Sequence, residues 1–110
     1  MPVSKNQISG NTSMLLLKLL SEKDMYGYEM IDTLSKRSEN EFVLKVGTLY
    51  PLLHNLVQNG YLSSYDQQVS GKLRKYYQIT SSGRKYLDKM IEEWNTYANA
   101  IGRIVSSNAE

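Results

Sequence analysis

The sequence predicts a mainly α-helical fold with one two-stranded β-hairpin, and three observations support this prediction. Apolar residues recur at steps of three and four in several separate segments, as they do on one face of a helix. Between residues 61 and 80 the pattern changes to alternation, which is typical of strands. A polar stretch with one glycine, residues 66–72, divides this region and predicts a hairpin tip. Helix, helix, helix, hairpin, helix is the order of a winged helix-turn-helix with an added C-terminal helix.

The first two helices are predicted from local signals. Residues 1 to about 8 are predicted to form a loose arm, and Ser9 or Asn11 is a candidate N-cap for the first helix. The leucines that follow lie on nearly every side of this helix, so we expect it to pack on more than one face. The second helix is predicted over residues 26–37. Gly27 near its start lowers helix propensity, which indicates close approach by another group.

The third helix, predicted within residues 46–60, carries the clearest sign of function. Its leucines recur at helical spacing and lie on one face, and Gly60 is a typical C-terminal glycine. Hydroxyls and amides are the groups that read base edges, and an acid-free face does not repel a polyanion. We therefore interpret this segment as a DNA-recognition helix. Its other face offers uncharged polar or flat side chains: Thr48, Tyr50, His54, Asn55 and Gln58.

The predicted hairpin consists of strands at residues 61–65 and 73–80 with a tip at residues 66–72. A short charge run is most often a solvated turn. Here the run lies one hairpin away from the acid-free helix face, and this joint arrangement favours a wing that contacts phosphates or the minor groove. The cations of this wing are Lys72, Arg74 and Lys75.

Two residues at the start of the third helix leave alternatives open. Lys45 occupies the place of a capping residue and opposes the helix dipole. It is either a tolerated surface lysine or a cation placed for a phosphate. Pro51 would normally begin a helix and is unfavourable inside one. The residue rules alone therefore leave the start of this helix uncertain by about a turn.

The final helix is predicted from about residue 83 to residue 105, after a cap at residues 80–82. We expect it to pair with the same helix of a second copy in a two-fold dimer, with the first helix sharing the seam. A domain of this size does not otherwise need so much apolar surface on its last helix. The alternative is a helix that folds back on its own domain. The apolar residues follow the alternating steps of a coiled-coil seam: Leu87, Met90, Ile91, Trp94, Tyr97, Ala98, Ile101 and Ile104.

Trp94 lies at the centre of this predicted seam. Residues near a two-fold axis meet their own copies, so two indoles face each other in such a dimer. The rings either fill the seam like other aromatic residues or flank a slot that admits a small planar aromatic ligand.

Composition excludes several classes of protein. With 110 residues, of which 41% are hydrophobic, the chain has material for one core. It contains no cysteine, which excludes disulfides and cysteine-ligated metals. No apolar run is long enough to span a bilayer, and the N-terminus lacks the apolar segment of a signal peptide, so we expect a cytoplasmic protein. His54 is the only histidine, and no nucleophile elbow, phosphate loop or metal spacing is present. The sequence therefore predicts no enzyme, no metal and no cofactor.

Several segments carry recognisable motifs: MYGYEMI at 25–31, GTLYPLLHNL at 47–56, GYL at 60–62 and GKLRKYYQIT at 71–80, followed by Gly83. In this order and spacing they resemble the PadR family of bacterial transcriptional regulators. The resemblance extends from about Gly10 into the final helix. The single C-terminal helix resembles that of the compact branch of the family, which dimerises through this helix.

The resemblance implies a dimeric repressor whose third helix begins near Val46, runs through Pro51 and enters the major groove. It places Thr48, Tyr50 and Pro51 at the DNA, with Tyr26 at the start of the second helix, and puts the cations of the hairpin on the wing. Two residues depart from the family pattern. Asn55 stands where arginine is common, which removes one phosphate contact, and Lys45 stands where a capping residue is usual and restores a charge nearby.

The resemblance also implies a ligand site. Several members respond to phenolic acids or multidrug-type aromatics, and in some a tryptophan of the last helix lines the pocket at the dimer interface. Trp94 matches that position, and Met14 and Leu17 of the first helix are expected to face it.

We therefore expect a DNA-binding unit, residues 1–80, and a dimerisation helix, residues 81–110, that form one compact unit. The expected partner is double-stranded DNA with inverted half-sites, because a two-fold dimer imposes that symmetry on its operator. Two alternatives remain. One is a winged-helix module that binds protein, and the other is a repressor without a small-molecule ligand.

Overall fold

The predicted winged helix-turn-helix order is confirmed within residues 5–106, which are the residues described by the computed structural model, with side chains from residue 11 onward. This part of the chain contains four helices and one three-stranded antiparallel sheet. In chain order the elements are α1 (Lys5–Glu22), β1 (Met25–Tyr26), α2 (Gly27–Arg37), α3 (Val46–Gln58), β2 (Leu62–Val69), β3 (Lys72–Ile79) and α4 (Ser81–Val105).

The core is built mainly from leucines of α1 and α3. On α1 the buried leucines point to different sides, because this helix contacts α2, α3, α4 and β3. This confirms the expectation that α1 packs on more than one face. On α3 the spacing of the buried leucines matches one helical face, as predicted. The fully buried large side chains are Leu16, Leu17, Leu20, Met30, Leu49 and Leu53.

The start of α1 differs from the prediction. The helix already includes Lys5, so Ser9 and Asn11 lie inside it and not at its N-cap, and the predicted arm boundary at residue 8 is wrong. Serine and asparagine cost only about 0.5 kcal/mol each inside a helix. Packing of the leucines that follow offsets so small a cost. The first four residues of the predicted arm lie outside the described part of the chain.

The sheet has the strand order β1–β3–β2, and β1 was not predicted. Two residues are too few to show an alternating pattern. Met25 and Tyr26 pair with β3 only because the chain between α1 and α2 passes alongside it. This added strand ties the start of α2 to the hairpin.

The hairpin is longer than predicted, since β2 and β3 pair in register as far as Val69 and Lys72. The predicted tip over residues 66–72 is therefore wrong. The turn consists of Ser70 and Gly71, whose φ angles are 53° and 80°. Positive φ at both central residues is what a type I′ hairpin turn requires. The polar residues before the turn are still strand residues, because the distal hairpin stands in solvent and needs no apolar face.

The N-terminus of α4 is anchored by the cap that the sequence predicted, although the helix begins at Ser81 rather than at about residue 83. The Thr80 hydroxyl accepts a hydrogen bond from the Gly83 amide at 3.0 Å and donates to the Gly60 carbonyl at 2.6 Å. These bonds connect the start of α4 with the end of α3. They hold one end of the long helix against the chain segment that follows α3.

Candidate nucleic-acid interface

The predicted recognition helix exposes the face that the sequence indicated. Leu49, Leu53 and Leu56 are buried, while the polar side chains around the rest of the helix are exposed. The helix begins at Val46 and continues through Pro51, as the family resemblance implied. The exposed residues of this face and its N-terminal flank include Lys45, Thr48, Tyr50, Pro51, His54, Asn55 and Gln58.

Lys45 is the N-cap residue of α3. Its backbone is extended, and its side chain forms no capping hydrogen bond. The first turn of α3 therefore presents amides and a cation together, with no acidic residue in that turn. Both features favour a nearby anion.

The Tyr50 ring lies against the start of α2. Gly27, at the start of α2, lies directly beside the Tyr50 ring. A Cβ atom at position 27 would stand 2.8 Å from Tyr50 Cζ, which is closer than atoms pack. The absence of a side chain at Gly27 thus allows the close approach that its place in the sequence indicated. It also keeps the Tyr50 hydroxyl at the junction of the two helices.

A cleft of about 270 Å³ separates α3 from the hairpin. One wing cation, Lys75, lines this cleft together with residues of the recognition helix, an arrangement that the sequence alone did not predict. Burial raises the pKa of the Tyr77 hydroxyl on its wall, and the neighbouring Tyr50 raises it further. The residues that line the cleft are Tyr50, His54, Val57, Ser64, Lys75 and Tyr77.

The wing cations do not form one patch, because neighbouring strand residues point to opposite faces of a sheet. Lys75 points to the face that packs on α3, and Arg74 points to the other. The Arg74 guanidinium carbon lies 4.2 Å above the centre of the Tyr26 ring, in the geometry of a cation–π contact. Its Nε atom is buried without a hydrogen-bond partner. Arg74 therefore lies on the hairpin, as predicted, with its guanidinium packed on Tyr26, and a contact of Arg74 with DNA stays a prediction.

Arg74 belongs to an aromatic cluster that covers the outer face of the sheet. Tyr76 meets the Tyr26 ring edge-on at 5.6 Å and stacks on Tyr65 at 5.7 Å between ring centres. The Tyr65 hydroxyl donates a 2.6 Å hydrogen bond to Asp24, and this bond raises the pKa of Tyr65 to about 12. The cluster fixes Tyr26, the N-cap of α2, against the hairpin. The tyrosine-rich composition was the only sequence signal for it.

Several cations of α1, α2 and their connection are held in ion pairs. Among the residues that the structure describes, Lys45, Lys72 and Lys75 form no ion pair. Asp66 faces Lys75 across the hairpin by register, but no ion pair joins them. The pairs on α1, α2 and their connection are Lys18–Glu22, Lys23–Glu29, Lys36–Asp32 and Arg37–Glu22, at 3.7, 2.7, 3.0 and 2.7 Å.

The predicted seam of α4 divides into two parts. Leu87 is buried in the core of its own chain, and Met90 and Ile91 are half-buried against that core. This part follows the fold-back alternative, so Leu87 is not a free interface residue. Beyond it the apolar stripe is open, with exposed fractions between 41% and 77%. The exposed residues are Trp94, Tyr97, Ile101, Ile104 and Val105, with Ala98 half-buried among them.

The residues predicted for a ligand site are not equally accessible. The Trp94 ring is exposed and lies 6.2 Å from the ring of Tyr97. Met14 is half-buried against the core, whereas Leu17 is completely buried. The expectation that Leu17 faces a ligand is therefore wrong, because α1 directs that side chain into the core of its own chain.

Two further properties follow from the residues with described positions. They contain no group of three or more histidine, cysteine or acidic side chains placed to hold a metal ion. None of the helices within this range combines the length and the apolar character needed to cross a bilayer.

Known proteins resemble this chain in both sequence and fold. An uncharacterised protein of Lysinibacillus sphaericus is 40% identical over 93 residues, which cover 84% of this chain and 85% of that protein. The transcriptional regulator Rv3488 of Mycobacterium tuberculosis is 32% identical over 72 residues, 66% of this chain and 64% of its own length. The chain thus spans slightly less than two thirds of that regulator.

Solved structures agree with this likeness. The structure of a transcriptional regulator from Clostridium thermocellum superposes with a TM-score of 0.84 at 36% identity, covering 92% of this chain and 99% of that one. The crystal structure of a PadR family transcriptional regulator from Eggerthella lenta gives 0.80 at 29% identity, with coverages of 94% and 88%. The model of the transcriptional regulator PadR-like family matches residues 16–89, which is more than half of the chain. The chain therefore belongs to the PadR-like family of transcriptional regulators.

Proposed function

We infer that this protein is a dimeric transcriptional repressor that binds duplex DNA through α3 and the hairpin. The observation that carries this proposal is the acid-free exposed face of α3 beside unpaired lysines. In the proposed complex α3 enters the major groove, and the hairpin lies on the phosphate backbone or in the minor groove. Arg74 is proposed to act through its contact with the Tyr26 ring. The residues proposed to face DNA are Tyr26, Lys45, Thr48, Tyr50, Pro51, Asn55, Lys72 and Lys75.

Salt dependence tests this proposal. A variant with both Lys72→Gln and Lys75→Gln should bind a random-sequence duplex with a less steep dependence of log K on log salt. The slope should fall by about 0.9 for each phosphate contact removed. Fluorescence anisotropy over a salt series measures it.

A double variant with Lys85→Gln and Lys89→Gln is the matched control, since both lysines are exposed on α4. Equal slopes for the two double variants would refute a wing contact with DNA. A folded protein that binds no duplex even at low salt would instead favour a winged-helix module that binds protein.

Dimerisation is proposed through the open part of the α4 stripe, so that residues 81–110 act as the dimerisation helix of the DNA-binding unit. Burial of Trp94, Tyr97, Ile101 and Ile104 against a second copy would remove a contiguous exposed apolar surface, which is uncommon on monomeric proteins. A two-fold dimer carries two copies of α3 and therefore reads inverted half-sites. Intracellular DNA as the partner agrees with a cytoplasmic location.

A small planar aromatic ligand is proposed as the signal that releases the repressor. Trp94 and Tyr97 present two neighbouring rings at the place where two copies would meet. Flat aromatic dyes should quench the fluorescence of Trp94, the single tryptophan, and should lower DNA affinity at the same concentrations. Absence of quenching, with dimerisation monitored separately, would favour a repressor without a small-molecule ligand whose Trp94 is only structural. Quenching without a change in DNA affinity would contradict the role of the ligand as a releasing signal.

A further inference from the structure

The cleft between α3 and the hairpin contains the groups needed to hold an oxyanion. His54 is exposed on the wall formed by α3, and Lys75 is exposed on the wall formed by β3. Tyr50 and Ser64 also line the cleft, and each carries a hydroxyl group. None of the lining residues is acidic. A protonated imidazole and an ammonium group on facing walls form a charge-assisted pair of donors for one anion.

We propose that His54 and Lys75 hold one backbone phosphate of duplex DNA in this cleft, with His54 in its protonated form. This inference rests on the proposed DNA-binding function. In this arrangement one phosphate is bound by the recognition helix through His54 and by the hairpin through Lys75. A positive charge on His54 adds a second cation at that phosphate, so affinity should fall as the pH rises through the range in which imidazole groups lose their charge.

The position of the cleft favours a duplex phosphate over other anions. The cleft opens on the same side as the exposed face of α3, because Tyr50 and His54 belong to both. A helix lying in the major groove has phosphates along its flanks, and the wing approaches the same backbone. A phosphate at this place would bridge the two elements that the proposed complex uses.

Few other groups can produce this pH dependence. The chain has only one histidine. The titratable groups that face it are Tyr50 from α3, and Lys75 and Tyr77 from β3. Phenols and ammonium groups ordinarily keep their protons well above neutral pH. Asp66 lies across the hairpin from Lys75 but does not line the cleft. The His54→Gln variant removes the imidazole and leaves every other titratable group in place, including the terminal amine. A pH dependence that is lost in this variant therefore comes from His54.

The experiment measures binding of a random-sequence duplex of about 30 base pairs over a salt series, at about pH 6 and about pH 8. For the unchanged protein, the slope of log K against log salt should be steeper at the lower pH by about 0.9 per protomer. His54→Gln should give the same slope at both pH values. Lys85→Gln, a cation exposed on α4, should keep the difference.

The opposite results refute the proposal. These are equal slopes at the two pH values for the unchanged protein, or a pH difference that survives in His54→Gln. A second measurement follows the histidine ring signals by NMR as inorganic sulfate, a non-titrating oxyanion, is added.

The sulfate measurement separates this proposal from the proposed function. If no duplex binds at any salt concentration, the proposed DNA-binding function fails. The sulfate titration alone then tests whether the cleft binds an oxyanion. A sulfate-induced shift of the histidine ring signals that is absent in Lys75→Gln would then support an oxyanion site. Ring signals that do not shift when sulfate is added would refute it. If duplex binds with the expected slopes but sulfate has no effect, the phosphate is held only as part of a duplex, which supports the proposal.

Discussion

Replacing Gly83 with alanine is expected to lower the free energy of unfolding by about 2 kcal/mol or more. Gly83 is buried in the first turn of α4, directly over the backbone of Tyr61. A Cβ atom there would overlap the Tyr61 carbonyl oxygen and would stand 2.8 Å from Ile79 Cγ1 and 3.0 Å from the Tyr61 carbonyl carbon. Backbone atoms cannot move aside as the end of a flexible side chain can. The start of α4 must therefore shift and weaken the Thr80 cap.

The matched control is Gly47→Ala in α3, where an added Cβ atom would meet no atom within 4 Å. Alanine there should raise the free energy of unfolding by a few tenths to about 1 kcal/mol, since it favours the helix more than glycine does. Chemical denaturation at one fixed protomer concentration compares the two, because the proposed dimerisation would couple stability to concentration. Equal effects of both substitutions would contradict the packing of α4 on Tyr61.

Replacing Ile101 with aspartate is expected to produce monomers and to weaken DNA binding at least about 100-fold. Ile101 lies in the open part of the α4 stripe, where nothing in its own chain covers it fully. Two aspartates brought together at a two-fold seam lose hydration and repel each other. A monomer contacts one half-site and loses the gain in affinity that comes from linking two binding units. Sedimentation equilibrium and DNA binding on the same samples measure both effects.

Thr96→Asp supplies the control, because it adds the same charge to the same helix at an exposed position away from the stripe. This variant should remain dimeric and bind DNA nearly as the unchanged protein does. A dimeric Ile101→Asp protein would contradict the proposed seam. A monomeric one with unchanged affinity would show that one copy suffices for DNA binding.

The recognition helix could be predicted from sequence because its signal is local and repeated. Leucines at helical spacing specify one buried face, so the polar face of α3 follows by geometry. The Thr80 cap and the close approach at Gly27 were likewise predictable, since each depends on the chemistry of one residue type. Pro51 needed the family resemblance, because its own helix signals were contradictory.

The wing shows what residue patterns leave open. Charge along the sequence predicted one basic patch, but strand alternation sends Arg74 and Lys75 to opposite faces, and the register is set by pairing with β2. The buried contact of Arg74 with Tyr26 joins residues far apart in the chain. Only the tertiary structure could show it.

The sequence by itself determined the order of the elements, the acid-free face of α3 and the apolar stripe of α4, because these are periodic properties of a single helix or hairpin. Tertiary structure alone decided which part of that stripe is used within the chain, that Leu17 is turned into the core, and that His54 and Lys75 share one cleft. These depend on how elements pack against one another. Packing is governed by contacts between residues distant in sequence, which no local pattern encodes.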